Sequence, residues 1–278
     1  MFSVLIPVFN HGRFLRQAVE SALRDQLVGE VLVVDDGSHD GSPRVIRDLV
    51  RLYGPRVRDI SDVAGGNRGA HARLNELVEA SRHDWVAVLN SDDAFVPARF
   101  AVARALARSG QTQFVSGNLL IMDAAGTVCG RKRGWLDPEY PFPPMLHADS
   151  TSTPREWRRP EWQEAFRARL LHQNFIATTS NMMFTKQLHA RIGGFRDYRY
   201  CHDWDFALRA AFDGDIGWCE QYLTLYRIHG SNTIADAKEL IRADVQRMFR
   251  RFTADVRGFG EAPLCRTAFA ENEYLAAA

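Results

Sequence analysis

Residues 2–36 read FSVLIPVFNHGRFLRQAVESALRDQLVGEVLVVDD, and this stretch decides the fold. Its ends, FSVLIPVF (2–9) and EVLVVDD (30–36), are short apolar runs rich in β-branched residues, the pattern of strands covered on both faces. Between them Phe14, Leu15, Ala18, Val19, Ala22 and Leu23 recur at helical spacing and mark a crossover helix. The unit then repeats. The pattern predicts a helix over about 43–53, a strand near 57–60, a helix over 69–81, a strand at 85–89 and a helix opening near Pro97. Alternation of this kind with short connections predicts an α/β fold with a doubly wound, mostly parallel, Rossmann-like sheet.

Past Val115 the register changes. NLLIMDAAGTVCG (118–130) reads as two strands around an Ala-Gly turn. Residues 130–160 carry six prolines and the tryptophans Trp135 and Trp157, without clear periodicity, as functional or mobile loops do. A helix over 161–172, a strand over 176–184, and helices over 185–192 and 202–213 follow, and an amphipathic helix runs from about 235 to 253. The tryptophans Trp135, Trp157 and Trp162 are expected to pack their loops more than to stack on a sugar.

Composition narrows the function. With 35 basic and 34 acidic residues the formal charge is +1, so no global field draws nucleic acid or anionic lipid. The four cysteines form no C-x-x-C pair, which argues against a disulfide framework or a structural zinc site and for a reducing compartment. The N-terminal apolar run lacks a basic flank and a cleavage site, so it reads as a strand and not as a signal peptide. No stretch approaches the roughly 20 apolar residues that span a bilayer. The chain lacks G-x-x-x-x-G-K-[ST], and no G-x-G-x-x-G follows its first strand, which argues against a P-loop and a dinucleotide site.

In a doubly wound sheet, ligands bind beyond the carboxyl ends of the strands. Three strands end there in polar residues: Pro7-Val8-Phe9-Asn10, Asp35-Asp36-Gly37-Ser38 and Asn90-Ser91-Asp92-Asp93. Two acidic pairs on one edge repel unless something neutralises them, and a divalent cation shared with a diphosphate would do so.

These segments resemble the family 2 inverting glycosyltransferases of GT-A fold. The resemblance spans about 3–233 and rests on SVLIPVFNHGRFLRQAVESAL, VLVVDDGSHDGS, NRGAHARLN, WVAVLNSDDAFVP, NFIATTSNMMF, IGGFRDYRYCHDWDFALR and YRIHGSNT, in that order. It implies a nucleotide-sugar-binding half over 1–116, an acceptor-binding and catalytic half of the same domain over 117–234, with a smaller mixed region, and a helical tail over 235–278. Pro7, Phe9 and Asn10 would line the nucleoside pocket, and Asp36 would accept the ring N–H of a uracil-type base, favouring a UDP- or dTDP-sugar. Asn67, Gly69 and His71 would close over the nucleotide. Asp92 and Asp93 would serve ribose and metal, Mg²⁺ or Mn²⁺, and His229 would help hold the metal and diphosphate. Gly193 and Gly194 would let backbone approach the donor sugar, and Asp203 would be the catalytic base. Asp205, on another helix face, reads as structural, and Asp35 as a turn cap.

The implied activity is inverting transfer to a glycan, lipid-linked or other hydroxyl acceptor in surface polysaccharide or glycan synthesis. It would take place in the cytoplasm or at the inner face of the membrane. Two positions depart from the family pattern: His202 stands where an acidic residue usually precedes the base, and Asn90 replaces the first acid of the metal motif. The alternative is a nucleotide-sugar-binding module that has lost turnover. A receiver domain would take its acidic pair from the first strand, and a nucleotidylyltransferase would need a Gly-rich N-terminal loop.

Overall fold

The computed structural model describes residues 1–62, 66–110, 112–134, 159–230, 237–255 and 272. Trp135 and Trp157 lie outside the described residues. The first half follows the expected alternation: β1 (Phe2–Val8), α1 (Gly12–Leu23), β2 (Val28–Asp35), α2 (Ser42–Tyr53), β3 (Val57–Asp59), α3 (Ala70–Ala80) and β4 (Trp85–Val88). The six apolar positions of α1 read from the sequence are all buried. Each such side chain removed from water stabilises the fold by about 1.5–3 kcal/mol for the larger ones.

The rest of the chain supplies β5 (Ala94–Phe95), α4 (Arg99–Gly110), β6 (Phe114–Met122), β7 (Val128–Lys132), α5 (Pro160–His172), β8 (Met183–Thr185), α6 (Lys186–Arg191), α7 (His202–Asp213), β9 (Ile216–Arg227) and α8 (Lys238–Asp255). Among the described residues all strands join one sheet, ordered β3-β2-β1-β4-β8-β6-β9-β5, with β7 on β6. Its longest ladders, β1–β2 and β6–β9, are parallel, whereas β8, β5 and β7 pair antiparallel. The chain steps outward from β1 to β2 to β3 and then returns to β4 on the other side of β1. With right-handed crossovers, α1 and α2 share one face and α3 takes the other. The strand order therefore reverses between β1 and β4, and the ends of these two strands flank the crevice.

The two halves read on either side of 116/117 meet within β6 and both contribute strands to one sheet. Two differences from the sequence reading have local causes. The strand expected over 176–184 is mostly a 3₁₀ turn at Thr179–Asn181, with only Met183–Thr185 extended. Side chains of Thr178, Thr179 and Ser180 bond to Asn90 and Asp93, and such polar groups compete with the ladder for the backbone path. Strand β9, absent from the sequence reading, lacks a period-2 pattern because its faces are buried unevenly along its length.

In the second half Phe195 stacks on Phe206 at 4.2 Å between ring centroids, and Phe206 meets Phe184 at 4.7 Å. Helix α8 covers α7 with Val245, Met248, Phe249 and Phe252, and the Phe249 ring meets Trp204 edge-on at 5.3 Å. Trp162 stacks on Phe166 at 5.1 Å, which is packing, as expected.

One ion pair holds the turn before α7. Asp205, 0% exposed, accepts Arg209 Nε at 2.9 Å, and Arg209 donates to the carbonyls of Ile192 and Gly194. Gly194 has φ +68°, and a Cβ there would lie 2.8 Å from Asn75 Oδ1. Removing one partner of a buried pair leaves an uncompensated charge, so Asp205→Ala should cost about 3–5 kcal/mol of unfolding free energy. Urea denaturation measures this; a loss below ~1 kcal/mol, the value of an exposed pair, would show that the pair does not hold the turn.

Candidate active site

The end of β1 is shaped by Asn10, which takes a left-handed φ of 56°, a conformation asparagine tolerates better than most residues. Its N–H donates to Ser38 Oγ and its Oδ1 accepts His39 N–H, both at 2.8 Å, so the β1 and β2 loops are tied together. Phe9 beside it is 43% exposed, a large apolar ring open to the crevice, and Pro7 is half-buried in the strand below. Asp35 Oδ2 accepts Ser38 N–H at 3.2 Å, the turn cap anticipated.

Asp36 is more heavily used than the sequence reading allowed. Oδ1 accepts Arg68 N–H at 2.7 Å and Arg73 Nε–H at 2.8 Å, and Oδ2 accepts Gly69 N–H at 2.9 Å. A carboxylate offers about four acceptor positions, so one remains, on Oδ2, for the nucleobase expected there. Asp36 thereby holds the start of α3, with Asn67 exposed in the loop and His71 Nε2 3.5 Å from Asp197 Oδ1. Arg73, 1% exposed, was not read from the sequence; it lies on the same helix face as Leu77, and that spacing could have marked it as inward-facing.

Beyond β4 the four residues Asn90–Asp93 divide their tasks. The Asn90 side chain donates to Thr178 Oγ1 and accepts from Thr179 Oγ1, which commits it to the 178–181 turn. Asp93, expected as a metal ligand, is 1% exposed, with Oδ1 on Arg227 N–H at 2.8 Å and Oδ2 on Ser180 Oγ–H at 2.5 Å, so each oxygen is held by an interior donor. Burial, reinforced by the neighbouring Asp92 charge, pushes its carboxyl well above the usual range.

Asp92 takes the outward position. Its Oδ2 lies 3.0 Å from His229 Nε2, just beyond β9, and its Oδ1 lies 3.8 Å from His11 Nδ1. His11 also meets Ser91 Oγ at 2.9 Å. Burial lowers its pKa, opposed by the Asp92 charge. The sequence reading missed His11, although its place directly after Asn10 put it in the crevice. A carboxylate facing an imidazole at this distance is a donor set that fits a divalent cation.

At the other side Asp203 stands in the first turn of α7, whose N-terminal dipole favours negative charge. It is 8% exposed; Oδ2 accepts Asn174 Nδ2–H at 3.0 Å and Oδ1 accepts Trp204 N–H at 2.8 Å. Burial raises its pKa, and the adjacent His202 and these hydrogen bonds only partly oppose it. His202 directs Nδ1 toward the Tyr198 carbonyl at 3.2 Å. Gly193 and Gly194, both at positive φ, form the turn leading toward this helix, and Asn75 clamps it through Phe195 N–H and carbonyl.

Known proteins share this architecture. The chain is 33% identical over 101 residues to the minor teichoic acid biosynthesis protein GgaA of Bacillus subtilis, a stretch that is 34% of this chain and 22% of that one. It spans 22% and 58% of the first curated relatives it matches. The fold matches S. aureus TarS in complex with UDP-GlcNAc at TM-score 0.67 and 14% identity, over 97% of this chain and 70% of that one. It also matches the mannosyltransferase PcManGT from Pyrobaculum calidifontis, in complex with GDP-Man and Mn²⁺, at TM-score 0.64 and 15% identity, over 97% and 69%. The fold is thus the GT-A glycosyltransferase fold. Residues 3–193, well over half of the sequence, match Glycosyl transferase family 2, and the chain belongs to that family.

Proposed function

We propose that the chain moves a sugar from a nucleotide diphosphate donor, UDP- or dTDP-linked, to a hydroxyl of a glycan, lipid-linked or other acceptor, with inversion, in surface polysaccharide or glycan synthesis. The observation that carries this reading is the contrast between two carboxylates two residues apart. Asp205 is locked in an ion pair with Arg209. Asp203 has no arginine or lysine partner among the described residues, is buried, and holds a proton more readily than an ordinary carboxylate. A carboxylate that binds a proton more readily than usual is better suited to take one from an acceptor hydroxyl.

In the reaction Asp203 accepts the proton of the acceptor hydroxyl as that oxygen bonds to the anomeric carbon. The bond from that carbon to the diphosphate oxygen breaks on the opposite face, and its electron pair leaves with the diphosphate. A single displacement of this kind inverts the centre and needs no covalent intermediate. A divalent cation, Mg²⁺ or Mn²⁺, held by Asp92 and His229 would supply positive charge to the departing diphosphate. Phe9 offers a ring face for the base and the free lone pair of Asp36 an acceptor for its ring N–H. The Gly193-Gly194 turn would meet the donor sugar. The similarity to GgaA, a teichoic acid biosynthesis protein, and to TarS in complex with UDP-GlcNAc supports a UDP-sugar and a surface polymer. No helix among the described residues is long and apolar enough to cross a membrane, and a cytoplasmic site of action, at the inner membrane face for a lipid-linked acceptor, accompanies this reading.

The metal link is tested by melting. UDP should stabilise the chain more with Mn²⁺ present than with chelator, by up to about 2.7 kcal/mol at a hundredfold excess over Kd. Asp92→Asn should remove the difference while leaving the unliganded melting temperature near wild type. Equal stabilisation with and without metal would remove Asp92 from the diphosphate site.

The base is tested by turnover. Asp203→Asn should lower kcat by roughly 10²- to 10⁴-fold with donor affinity held within about threefold, read from donor hydrolysis or transfer. In the wild type only the deprotonated form accepts the proton. Because burial raises its pKa, kcat/KM should climb with pH through a value above the ordinary carboxylate range, and the climb should vanish in the variant. Wild-type turnover in Asp203→Asn would place the base elsewhere, and donor binding without any turnover in the wild type would favour the degenerate binding module.

A further inference from the structure

We propose that His11 is a third protein ligand of the cation, completing with Asp92 and His229 a two-histidine, one-carboxylate triad that selects a transition-metal ion over Mg²⁺. The proposal deepens the glycosyl-transfer reading and rests on it for the diphosphate that shares the ion.

The geometry is that of one coordination sphere. His11, Asp92 and His229 each present a ligand atom, and these atoms all lie within 4.8 Å of one another. Donors about 2.0–2.2 Å from one ion lie roughly 3–3.5 Å apart, so a small inward movement brings all three to bonding distance. The three come from separate segments, the β1–α1 turn, the loop after β4 and the residues after β9, so the sheet's switch point assembles them. His11 Nδ1, which faces Asp92 at 3.8 Å, also meets Ser91 Oγ at 2.9 Å, a contact that bonding of this nitrogen to the ion would replace. The His229 ring is supported from outside by Phe14, at 5.0 Å. Arg227 in turn lies 4.6 Å over Phe14. The two imidazoles stand nearly perpendicular, at 88° and 5.5 Å, without stacking on one another. Outer contacts that fix ring orientation are the usual companions of ligating histidines.

The donor types set the preference. Asp93 is committed to Arg227 N–H and Ser180, and Asp92 is the carboxylate that meets both rings, at 3.0 Å from His229 Nε2 and 3.8 Å from His11 Nδ1. Mg²⁺ demands oxygen donors and dehydrates reluctantly, whereas imidazole suits the first-row transition metals. A triad with two nitrogens and one oxygen therefore favours Mn²⁺, and Co²⁺ more strongly, over Mg²⁺.

The test uses the full chain stripped with chelator and titrated calorimetrically with Mn²⁺, Co²⁺ or Mg²⁺, alone and with UDP. Pulsed EPR of the Mn²⁺ complex counts directly bonded imidazole nitrogens. The wild type should show two nitrogens, His11→Ala one and His229→Ala one. Mn²⁺ affinity should fall at least roughly 10- to 100-fold in His11→Ala, the range known for losing even an outer partner of a metal site. His11→Gln, which keeps a hydrogen bonder beside Ser91, should lose the nitrogen signal equally, with a metal-free melting temperature near wild type to exclude misfolding. Wild-type Mg²⁺ should bind at least about tenfold more weakly than Mn²⁺. A single nitrogen in the wild type, unchanged Mn²⁺ affinity in His11→Ala, or equal Mg²⁺ and Mn²⁺ binding would overturn the proposal. If Asp92→Asn abolishes metal-linked UDP binding while His11→Ala changes nothing, the donor reading stands and the triad falls. If Mn²⁺ binds through two nitrogens but UDP does not bind, the triad stands and the transfer reading falls.

Discussion

The buried carboxylate of Asp93 joins three segments that are far apart in the chain: the end of β4, the 178–181 turn and the end of β9. Arg227, whose N–H meets it, donates Nε–H back to the Asp92 carbonyl at 2.6 Å and reaches Asp123, Ala124 and Gln17 with its guanidinium. Burying an acid without a full countercharge is costly, and hydrogen bonding is what makes it tolerable. The arrangement has a direct consequence for chemistry. With Asp93 turned inward, its neighbour Asp92 turns out, and His229, two residues past Arg227, arrives within 3.0 Å of it. The outer groups are in register because the inner one is committed.

The second half uses the same division of labour. Asp205 is neutralised by Arg209, which spends its remaining donors on the carbonyls before α7 and so fixes the Gly193-Gly194 turn. Asp203 is buried without such an ion pair among the described residues, and burial raises its pKa. From beneath, Asp244 of α8 accepts Tyr200 N–H at 2.9 Å and so braces the start of the helix that bears Asp203. In both halves a pair of nearby acids splits into one that builds and one left chemically available.

How much of this was legible can be judged residue by residue. Asp203, Asp92, His229 and the two glycines were singled out through the resemblance of the segments around them to a known family, and Asp205 was set aside by the angle between helix positions two apart. Asp93 could not be separated from Asp92, since adjacent residues in a loop give no sign of which side chain turns inward. Asp36 looked open to a ligand because Arg73, its partner 37 positions later, makes no local pattern with it. Strand β9 escaped because it pairs with β6, about a hundred residues earlier, and is buried along only part of each face.

The sequence by itself determined the elements of the first half, the parallel sheet and its switch point, because apolar periodicity and short connections are local and the handedness of crossovers is nearly fixed. It also determined which residue types reach the crevice. Only the tertiary structure decided which of those residues face outward, since that depends on hydrogen bonds to partners such as Ser180 and Arg227 brought in from distant segments. His11 is the sharpest case. One residue past Asn10 it is an unremarked loop histidine in the sequence, and only the approach of β4 and β9 sets it beside Asp92 and His229.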